Sequence, residues 1–483
     1  MCSASETTKF DLIIIGGGAA GFAAAIKADE LGAKTLIVNS GLPMGGTCVN
    51  VGCVPTKFLL EVTGDYYKAN HIKFASLSSS AKIDFSKVME EKNELVNSLR
   101  KSNYQDVLEN LPNITYREGK VKFISENEIE LDGDKLFASK FIIATGSSPK
   151  IIPIEGLSRQ SGIPPEAGKE AGFLTNRTIL ELKKLPENLL IIGAGPIGLE
   201  FAQIFSRLGS KVTIVELMER ILPQAEPIIS EELRKCLEDE GISILTGTKT
   251  KKAGKEERGK VVLLEKDNSS LEIVVDEILL ATGVAGNSDN LGLEKIGIEI
   301  DKNSFIKVNE CLQTTQPYIY AAGDIIGAPW LETIAAKEGN IAARNALRKE
   351  KIKMDFAHIP YAVFTSPQVA SVGMKESEYM AKYGTCLCRM VKMDRVPKAK
   401  AVKETKGLIF MVIGHEDKKI KGVHIISEFA SEIIHEATLA IRQGLTIDEI
   451  IDMVHIFPSF SEAIKIVAQS FKHDPKKMSC CVE

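Results

Sequence analysis

Hydrophobic residues along the chain gather in short unbroken runs that end in glycine and lead into helical stretches. Phe10 to Gly21, FDLIIIGGGAAG, is a run of buried-strand residues closed by glycines; FAAAIKADELG then has helical composition and a terminating glycine at position 32. A second apolar run, KTLIVN from Lys34 to Asn39, completes a βαβ unit, because parallel strands need a crossover of this kind between them. The same order returns from Leu189 in LLIIGAGPIGLEFAQIFSRLGSKVTIVE, where the helix ends at Gly209 and the second strand at Glu216. The architecture is duplicated within one chain.

Between the copies, Ser86 to Asn110 reads as a charged helix, and Tyr116 to Leu136 as short alternating strands with a turn at Asp132-Gly133. Thr248 to Lys260 is charge-rich and reads as a solvated hairpin or loop. From about Met354, strands such as GLIFMVI alternate with helical stretches such as SEFASEIIHEATLAIRQG, which predicts a separate α+β domain. The expected fold class is α/β: two Rossmann-like units followed by that C-terminal α+β domain.

Length and composition agree with several domains. At roughly 150 residues per domain, 483 residues make about three. With 44% hydrophobic and 26% charged residues the chain is neither disordered nor membrane-spanning in character. Sixty Lys plus Arg against 64 Asp plus Glu leave a formal charge of −4, which excludes a general attraction to nucleic acid or anionic lipid. Nine cysteines in so long a chain are no disulfide scaffold, and the odd count fits a reducing compartment. The start lacks a basic stretch followed by a long apolar one, since the run from Leu12 stops at Gly16, so a cytoplasmic location is expected.

Each glycine turn matches G-x-G-x-x-G, as Gly16, Gly18, Gly21 and as Gly193, Gly195, Gly198, after a strand and at the opening of a helix. Such a turn lets backbone approach a pyrophosphate, whose charge meets free N–H groups at the helix end. The pattern predicts two dinucleotide sites. Eighteen residues beyond the third glycine stand Asn39 in the first copy and Glu216 in the second. A carboxylate there accepts hydrogen bonds from ribose hydroxyls and repels a 2′-phosphate, so Glu216 favours NADH over NADPH, a preference that nearby Arg220 softens.

Two thiol pairs stand out. Cys48 and Cys53 lie in GGTCVNVGCVPTK with four residues between them, and no second ligand pair follows to make a zinc site. Pro55 suits the first turn of a helix, which places Cys53 at a positive helix end and makes it a reactive thiolate. Cys480 and Cys481, in KKMSCCVE, are adjacent thiols near the end of the sequence and suit carriage of a soft metal ion. Cys2, Cys236 and Cys311 read as ordinary residues, and Cys386 with Cys388 as packing along a strand rather than metal ligands. His71, His358, His415, His424, His435 and His473 have no ligand spacing and read as structural.

The thirteen-residue cysteine segment, both glycine fingerprints, ATGSSP at Ala144, ATG at Ala281 and TTQPYIYAAGD ending at Asp324 together resemble the class I flavin-dependent pyridine nucleotide disulfide oxidoreductases. That resemblance implies FAD at the first fingerprint and NADH or NADPH at the second. It implies that residues 1–150 and 281–350 are two parts of the FAD-binding domain, 151–280 the NAD(P)-binding domain and 351–483 a dimerisation domain with the Cys-Cys tail. Cys48 and Cys53 become the redox-active pair, Cys53 beside the flavin and Cys48 toward substrate. Lys57 resembles the lysine near flavin N5 and Glu200 its carboxylate partner. Gly16, Gly18, Gly21, Asn39, Thr47, Gly119, Thr145, Gly146 and Asp324 are expected around FAD, and Gly193, Gly195, Gly198, Glu200, Glu216 and Gly283 around the nicotinamide nucleotide.

Within the family, the CC tail, VFTSPQVASVG at Val363 and RVPKAKAVKETKGLIFMV at Arg395 are similar to the mercuric ion reductases, here without an N-terminal mercury-binding module. Disulfide-reducing members carry a His-Pro-Thr-x-Ser-Glu type motif, whose His is an acid and base toward the leaving thiol. Counted back from Glu462, the catalytic glutamate of that motif, the His position is Phe457, and a phenyl ring carries no proton. His455, two residues earlier, is either an acid–base substitute or a polar interface position. The resemblance implies a homodimeric Hg(II) reductase in which Cys480 and Cys481 of the partner chain pass Hg(II), as a thiol adduct, to Cys48 and Cys53. The alternatives are a disulfide reductase such as dihydrolipoyl dehydrogenase, and a non-catalytic soft-metal-binding flavoprotein.

Overall fold

The computed structural model describes residues 9–157 and 172–473. Cys2, Cys480 and Cys481 lie outside the described residues.

The first glycine turn sits where expected. Strand Lys9–Ile15 runs into helix Ala19–Glu30 and returns as strand Thr35–Asn39, with Leu12 registered opposite Thr35. The central part of the sheet is parallel, in the spatial order Ile114–Glu118, Thr35–Asn39, Lys9–Ile15, Asp134–Ile143. Thr35–Asn39 is wholly buried, as are Leu12 to Ile15 and Phe141 to Ile143, as the unbroken apolar runs require for a sheet covered on both faces, whereas the edge strand Ile114–Glu118 is not. Asp134–Ile143 also pairs with Glu128–Leu131 through a turn in which Asp132 (φ 49°) and Gly133 (φ 97°) both have positive φ, as a two-residue hairpin needs. Strand Ile319–Ala321, from much later in the chain, joins the free side of Ile142 and Ile143 in parallel, so the second βαβ unit is inserted within the path of the first. Helix Glu332–Arg348 follows and lies against helix Ala19–Glu30, so closely that a Cβ on Gly339 would stand 2.0 Å from the Ala20 carbonyl oxygen.

The second unit repeats the plan with parallel strands Ser243–Leu245, Lys211–Val215, Asn188–Ile192 and Glu277–Leu280 in that spatial order. Helix Pro196–Leu208 follows its glycine turn and ends on Gly209 at φ 110°. The charge-rich stretch forms a hairpin of strands Lys249–Glu256 and Gly259–Lys266, extended by Ser269–Val275. The C-terminal domain is a five-stranded antiparallel sheet ordered Tyr361–Val363, Gln368–Gly373, Ile420–Ser427, Leu408–Ile413, Leu387–Lys392, with helix Ala430–Gln443 packed on it. His424 is buried in this sheet, and desolvation pushes its imidazole down to about 4, so it is neutral at pH 7. The expected α/β fold with two Rossmann-like units and a C-terminal α+β domain is therefore present. No helix among the described residues is long and apolar enough to cross a membrane.

Helix Cys53–Asn70 leaves the first unit and packs on helix Pro196–Leu208 of the second. Arg207 clamps this contact. Its guanidinium donates to both Glu240 carboxylate oxygens at 2.9 Å and lies 4.8 Å over the Tyr67 ring. The two charged side chains are only 4% and 7% exposed, so neither can be left alone without a buried uncompensated charge. Arg207→Met is expected to destabilise the protein by about 3–5 kcal/mol, read as a lower denaturant midpoint, and Arg207→Met with Glu240→Leu to recover much of that loss. A single substitution that leaves the midpoint unchanged would show that the pair contributes nothing.

Candidate active site

Cys48 lies in a short helix, Gly46–Val51, and Cys53 is the first residue of helix Cys53–Asn70, with Gly52 at its N-cap. Pro55 falls in that first turn, where its missing N–H costs no hydrogen bond. The two free thiols interact: the Cys48 S–H is a donor toward the Cys53 sulfur, which, with help from the Lys57 charge, holds Cys53 below the ordinary thiol range against partial desolvation of this solvent-reachable thiol. The same hydrogen bond, together with burial, holds the Cys48 thiol well above its ordinary range. The hydrogen bond thus favours the proton on Cys48 and negative charge on Cys53. A thiolate at a helix N-terminus is stabilised further by the backbone dipole.

Lys57, one turn on, meets Glu200 of helix Pro196–Leu208 at 2.7 Å. The other Glu200 oxygen accepts the Phe364 N–H at 2.9 Å, and the Lys57 ammonium lies 4.6 Å from the Phe364 ring centre. One first-unit side chain, one second-unit side chain and one C-terminal-domain segment therefore meet beside the cysteines. Two groups here have no signal in the sequence pattern. Glu332, at the start of helix Glu332–Arg348, hydrogen bonds with Cys48 and Tyr104, and burial raises its carboxyl above the ordinary range.

The glycine turns form two similar cradles. Gly16 (φ 124°) and Gly193 (φ 110°) face the carbonyl oxygens of Ala144 and Ala281, where a Cβ would stand 2.1 and 2.4 Å away. Gly21 and Gly198 close on the carbonyls of Gly16 and Gly193 in the same way. The middle glycines differ: Gly18 faces Gly46, while open space surrounds Gly195. Helices Ala19–Glu30 and Pro196–Leu208 start without side-chain caps, which leaves their first N–H groups for an anion. Asn39 accepts the Gly17 N–H at 3.1 Å, and Glu216 takes the matching place, accepting the N–H groups of Ala194 at 2.7 Å and Met218 at 2.8 Å.

The other expected residues border the same regions. Asp324 accepts the Ser147 hydroxyl at 2.8 Å and burial raises its carboxyl, while Glu338, pushed up to about 7 by burial, accepts the neighbouring Gly323 N–H at 2.7 Å. Thr145 and Gly146 are tied to Asn287 by hydrogen bonds of 2.8 and 3.0 Å, a brace the sequence does not indicate. Gly119 donates to the Asn39 carbonyl at 2.9 Å, Thr47 is exposed on the Cys48 helix, and Gly283 follows the second sheet's last strand with open space around it. Glu462 accepts the Ser459 N–H at 3.0 Å, at the start of helix Glu462–Gln469. His455 is engaged elsewhere: Nε2 with Glu436 at 2.9 Å and Nδ1 with the Met453 carbonyl at 3.1 Å. Phe457, Ile456 and Val454 are exposed at 56%, 82% and 91%, an apolar face on the single chain.

The sulfur pair generates a directional test. Because the Cys53 pKa is lowered, its thiolate is expected to persist below the free-cysteine range and to be lost as pH falls through the depressed value. Cys48→Ala removes the donor and is expected to move that titration upward, as is Lys57→Met, which removes the nearby positive charge. Peptide-resolved alkylation of the reduced enzyme against pH measures this; a Cys53 profile unmoved by Cys48→Ala would refute the shared-proton arrangement.

Comparison with known proteins agrees with this arrangement. The profile of the Pyridine nucleotide-disulphide oxidoreductase family matches residues 10–339, and that of its dimerisation domain residues 359–468. The chain is 37% identical to the mercuric reductase of Lysinibacillus sphaericus, over 98% of this chain and 84% of that one. It is 36% identical to the dihydrolipoyl dehydrogenase of Thermus scotoductus, over 95% of this chain and 97% of that one. Among solved structures, the HOCl-induced flavoprotein disulfide reductase RclA from Escherichia coli superposes with a TM-score of 0.83 at 27% identity, covering 95% of this chain and 99% of that one. The family implies FAD and NAD(P)H, its dimerisation domain supports a homodimer, and the uncapped helix starts and open glycine cradles suit two dinucleotides. The chain belongs to the class I pyridine nucleotide-disulphide oxidoreductases and is similar, within that family, to the mercuric reductases.

Proposed function

We propose that this oxidoreductase reduces thiol-bound Hg(II) to Hg(0) at the expense of NADH, or less efficiently NADPH, in the cytoplasm. The observation that supports this reading most is the want of an acid–base group where a disulfide reductase needs one. Phe457 occupies the position, and both nitrogens of His455 are engaged by Glu436 and the Met453 carbonyl. Reduction of a disulfide expels a thiolate that benefits from protonation. Reduction of Hg(II) expels a neutral atom.

In this reading Gly16, Gly18, Gly21, Asn39, Thr47, Gly119, Thr145, Gly146 and Asp324 hold FAD, and Gly193, Gly195, Gly198, Glu216 and Gly283 the nicotinamide nucleotide. FAD, when bound, supplies a two-electron relay between the nicotinamide and the sulfur centre. The chain's own groups manage charge and ligands. Cys48 displaces one small thiolate from Hg(SR)2 as its proton passes to the departing sulfur or the Glu332 carboxylate, and the Cys53 thiolate displaces the second. Exchange of sulfur for sulfur keeps the transfer nearly isoenergetic. Lys57, held by Glu200, steadies the negative charge that accumulates on Cys53. The balance is Hg(SR)2 + NAD(P)H + H+ giving Hg(0) + NAD(P)+ + 2 RSH. Cys480 and Cys481 of the partner chain bring Hg(II) to the inner pair, and Glu462 acts as a positioning residue at the dimer interface.

Addition of Hg(II) in excess small thiol is expected to drive NADH oxidation with matching Hg(0) in the headspace, while lipoamide supports little turnover. Lipoamide turnover without Hg(0) would identify a disulfide reductase instead. Replacing Cys480 and Cys481 by Ala is expected to slow mercury turnover in thiol buffer and to spare flavin reduction by NADH; unchanged mercury turnover would remove the relay role. Glu216→Gln is expected to narrow the kcat/KM preference for NADH over NADPH by about tenfold, roughly 1.4 kcal/mol, and an unchanged ratio would dismiss the ribose contact.

A further inference from the structure

The C-terminal domain carries another thiol pair that this chemistry does not use. Cys386 immediately precedes strand Leu387–Lys392 and Cys388 lies within it, so their side chains leave the extended backbone on one side. Both are free thiols with Sγ atoms 3.1 Å apart, and Glu376 Oε1 stands 3.8 Å from the Cys386 sulfur. Among the described residues, these three offer ligand atoms that all lie within 4.8 Å of one another.

The sequence assigns the two cysteines to packing, and both do touch the hydrophobic core. Packing alone does not account for a convergent carboxylate. Glu376 is the first residue of helix Glu376–Tyr383, a start fixed by the Lys375 N–H bonded to Glu378 at 3.0 Å and by its own N–H bonded to Glu226 at 3.2 Å. Its backbone is therefore held from both sides while its side chain is exposed beside the sulfurs.

We propose that Cys386, Cys388 and Glu376 form a binding site for one thiophilic d10 cation of the zinc, cadmium and mercury class, separate from the Cys48–Cys53 centre. Two thiolates select such an ion over magnesium or calcium, and a single carboxylate completes three protein ligands with one position left to solvent. Two sulfurs on a tetrahedral ion, each at about 2.3 Å, stand roughly 3.8 Å apart, so the pair need open only slightly from its present contact. Cys386 lies outside the strand, and a small rotation of its side chain provides that opening. The site offers ligands and no electron source of its own, so it retains the ion rather than reducing it.

The test uses the full-length FAD-containing chain with Cys48, Cys53, Cys480 and Cys481 replaced by Ser, titrated anaerobically with Cd(II). Sulfur-to-cadmium charge-transfer absorbance is expected to saturate at one equivalent and to vanish when C386S and C388S are added. E376Q, on an exposed side chain that the fold does not need, is expected to weaken binding by about tenfold. Absorbance that survives C386S/C388S, a titration with no cadmium–sulfur band, or an E376Q affinity equal to its parent's would each overturn the proposal. The readout is independent of mercury turnover, so failure here leaves the proposed reaction untouched.

Discussion

Helix Cys53–Asn70 brings Cys53 and Lys57 beside the second βαβ unit by packing on helix Pro196–Leu208, and the Lys57–Glu200 ion pair depends on that packing. The partners are 143 positions apart in the chain. Glu200 is nearly buried, so its charge needs the ammonium; Lys57 needs the carboxylate to stay beside the thiols rather than extend into water. Arg207, two turns further along the same helix, repeats the logic with Glu240 and adds the Tyr67 ring. One helix contact thus carries two charged clamps, and it sets the relation between the thiol pair and the second glycine turn.

The two glycine turns show how duplicated backbone is turned to different ends. Asn39 and Glu216 both accept an N–H from the second residue of their turns, so both strand ends brace the loop alike. They differ in what is left over. The Asn39 amide also donates to the Leu42 carbonyl at 2.9 Å, which commits its second group to the loop. A carboxylate with two N–H donors keeps lone pairs and its charge. In the proposed reading Glu216 therefore serves the backbone and still meets a ribose hydroxyl, whereas the Asn39 side chain is committed more fully to shaping the loop.

This contrast also explains which parts were legible in the sequence. Each strand, glycine turn and helix of the βαβ units is contiguous, and so is the cysteine helix with Pro55 in its first turn; local pattern was enough. The hairpin at Asp132-Gly133 and the C-terminal sheet were legible for the same reason. Glu332, Tyr104 and Asn287 were not, because each reaches the site from a distant segment with an unremarkable local pattern. The same holds for Glu376 beside Cys386 and Cys388: spacing reveals that two side chains share a face, but not what stands opposite. His455 was left with two roles in the sequence, and its partner Glu436, on helix Ala430–Gln443, could be found only by folding.

Thiol reactivity in this protein follows from surroundings rather than from the presence of cysteine. Cys53 has a helix end, a lysine and a thiol donor, which together lower its pKa and favour the thiolate. Cys388 has burial, a second sulfur and a carboxylate, all of which hold its proton in place. The first environment favours the nucleophilic thiolate, and the second favours the protonated thiol. In the proposed reaction the first arrangement also removes the need for a separate acid. The thiolates freed when neutral mercury departs remain on the enzyme, where the helix end and Lys57 stabilise the charge on Cys53 and a proton returned to Cys48 restores the shared hydrogen bond. An imidazole at position 457 would find no leaving thiolate in the reduction step itself, because the atom that departs there is neutral mercury.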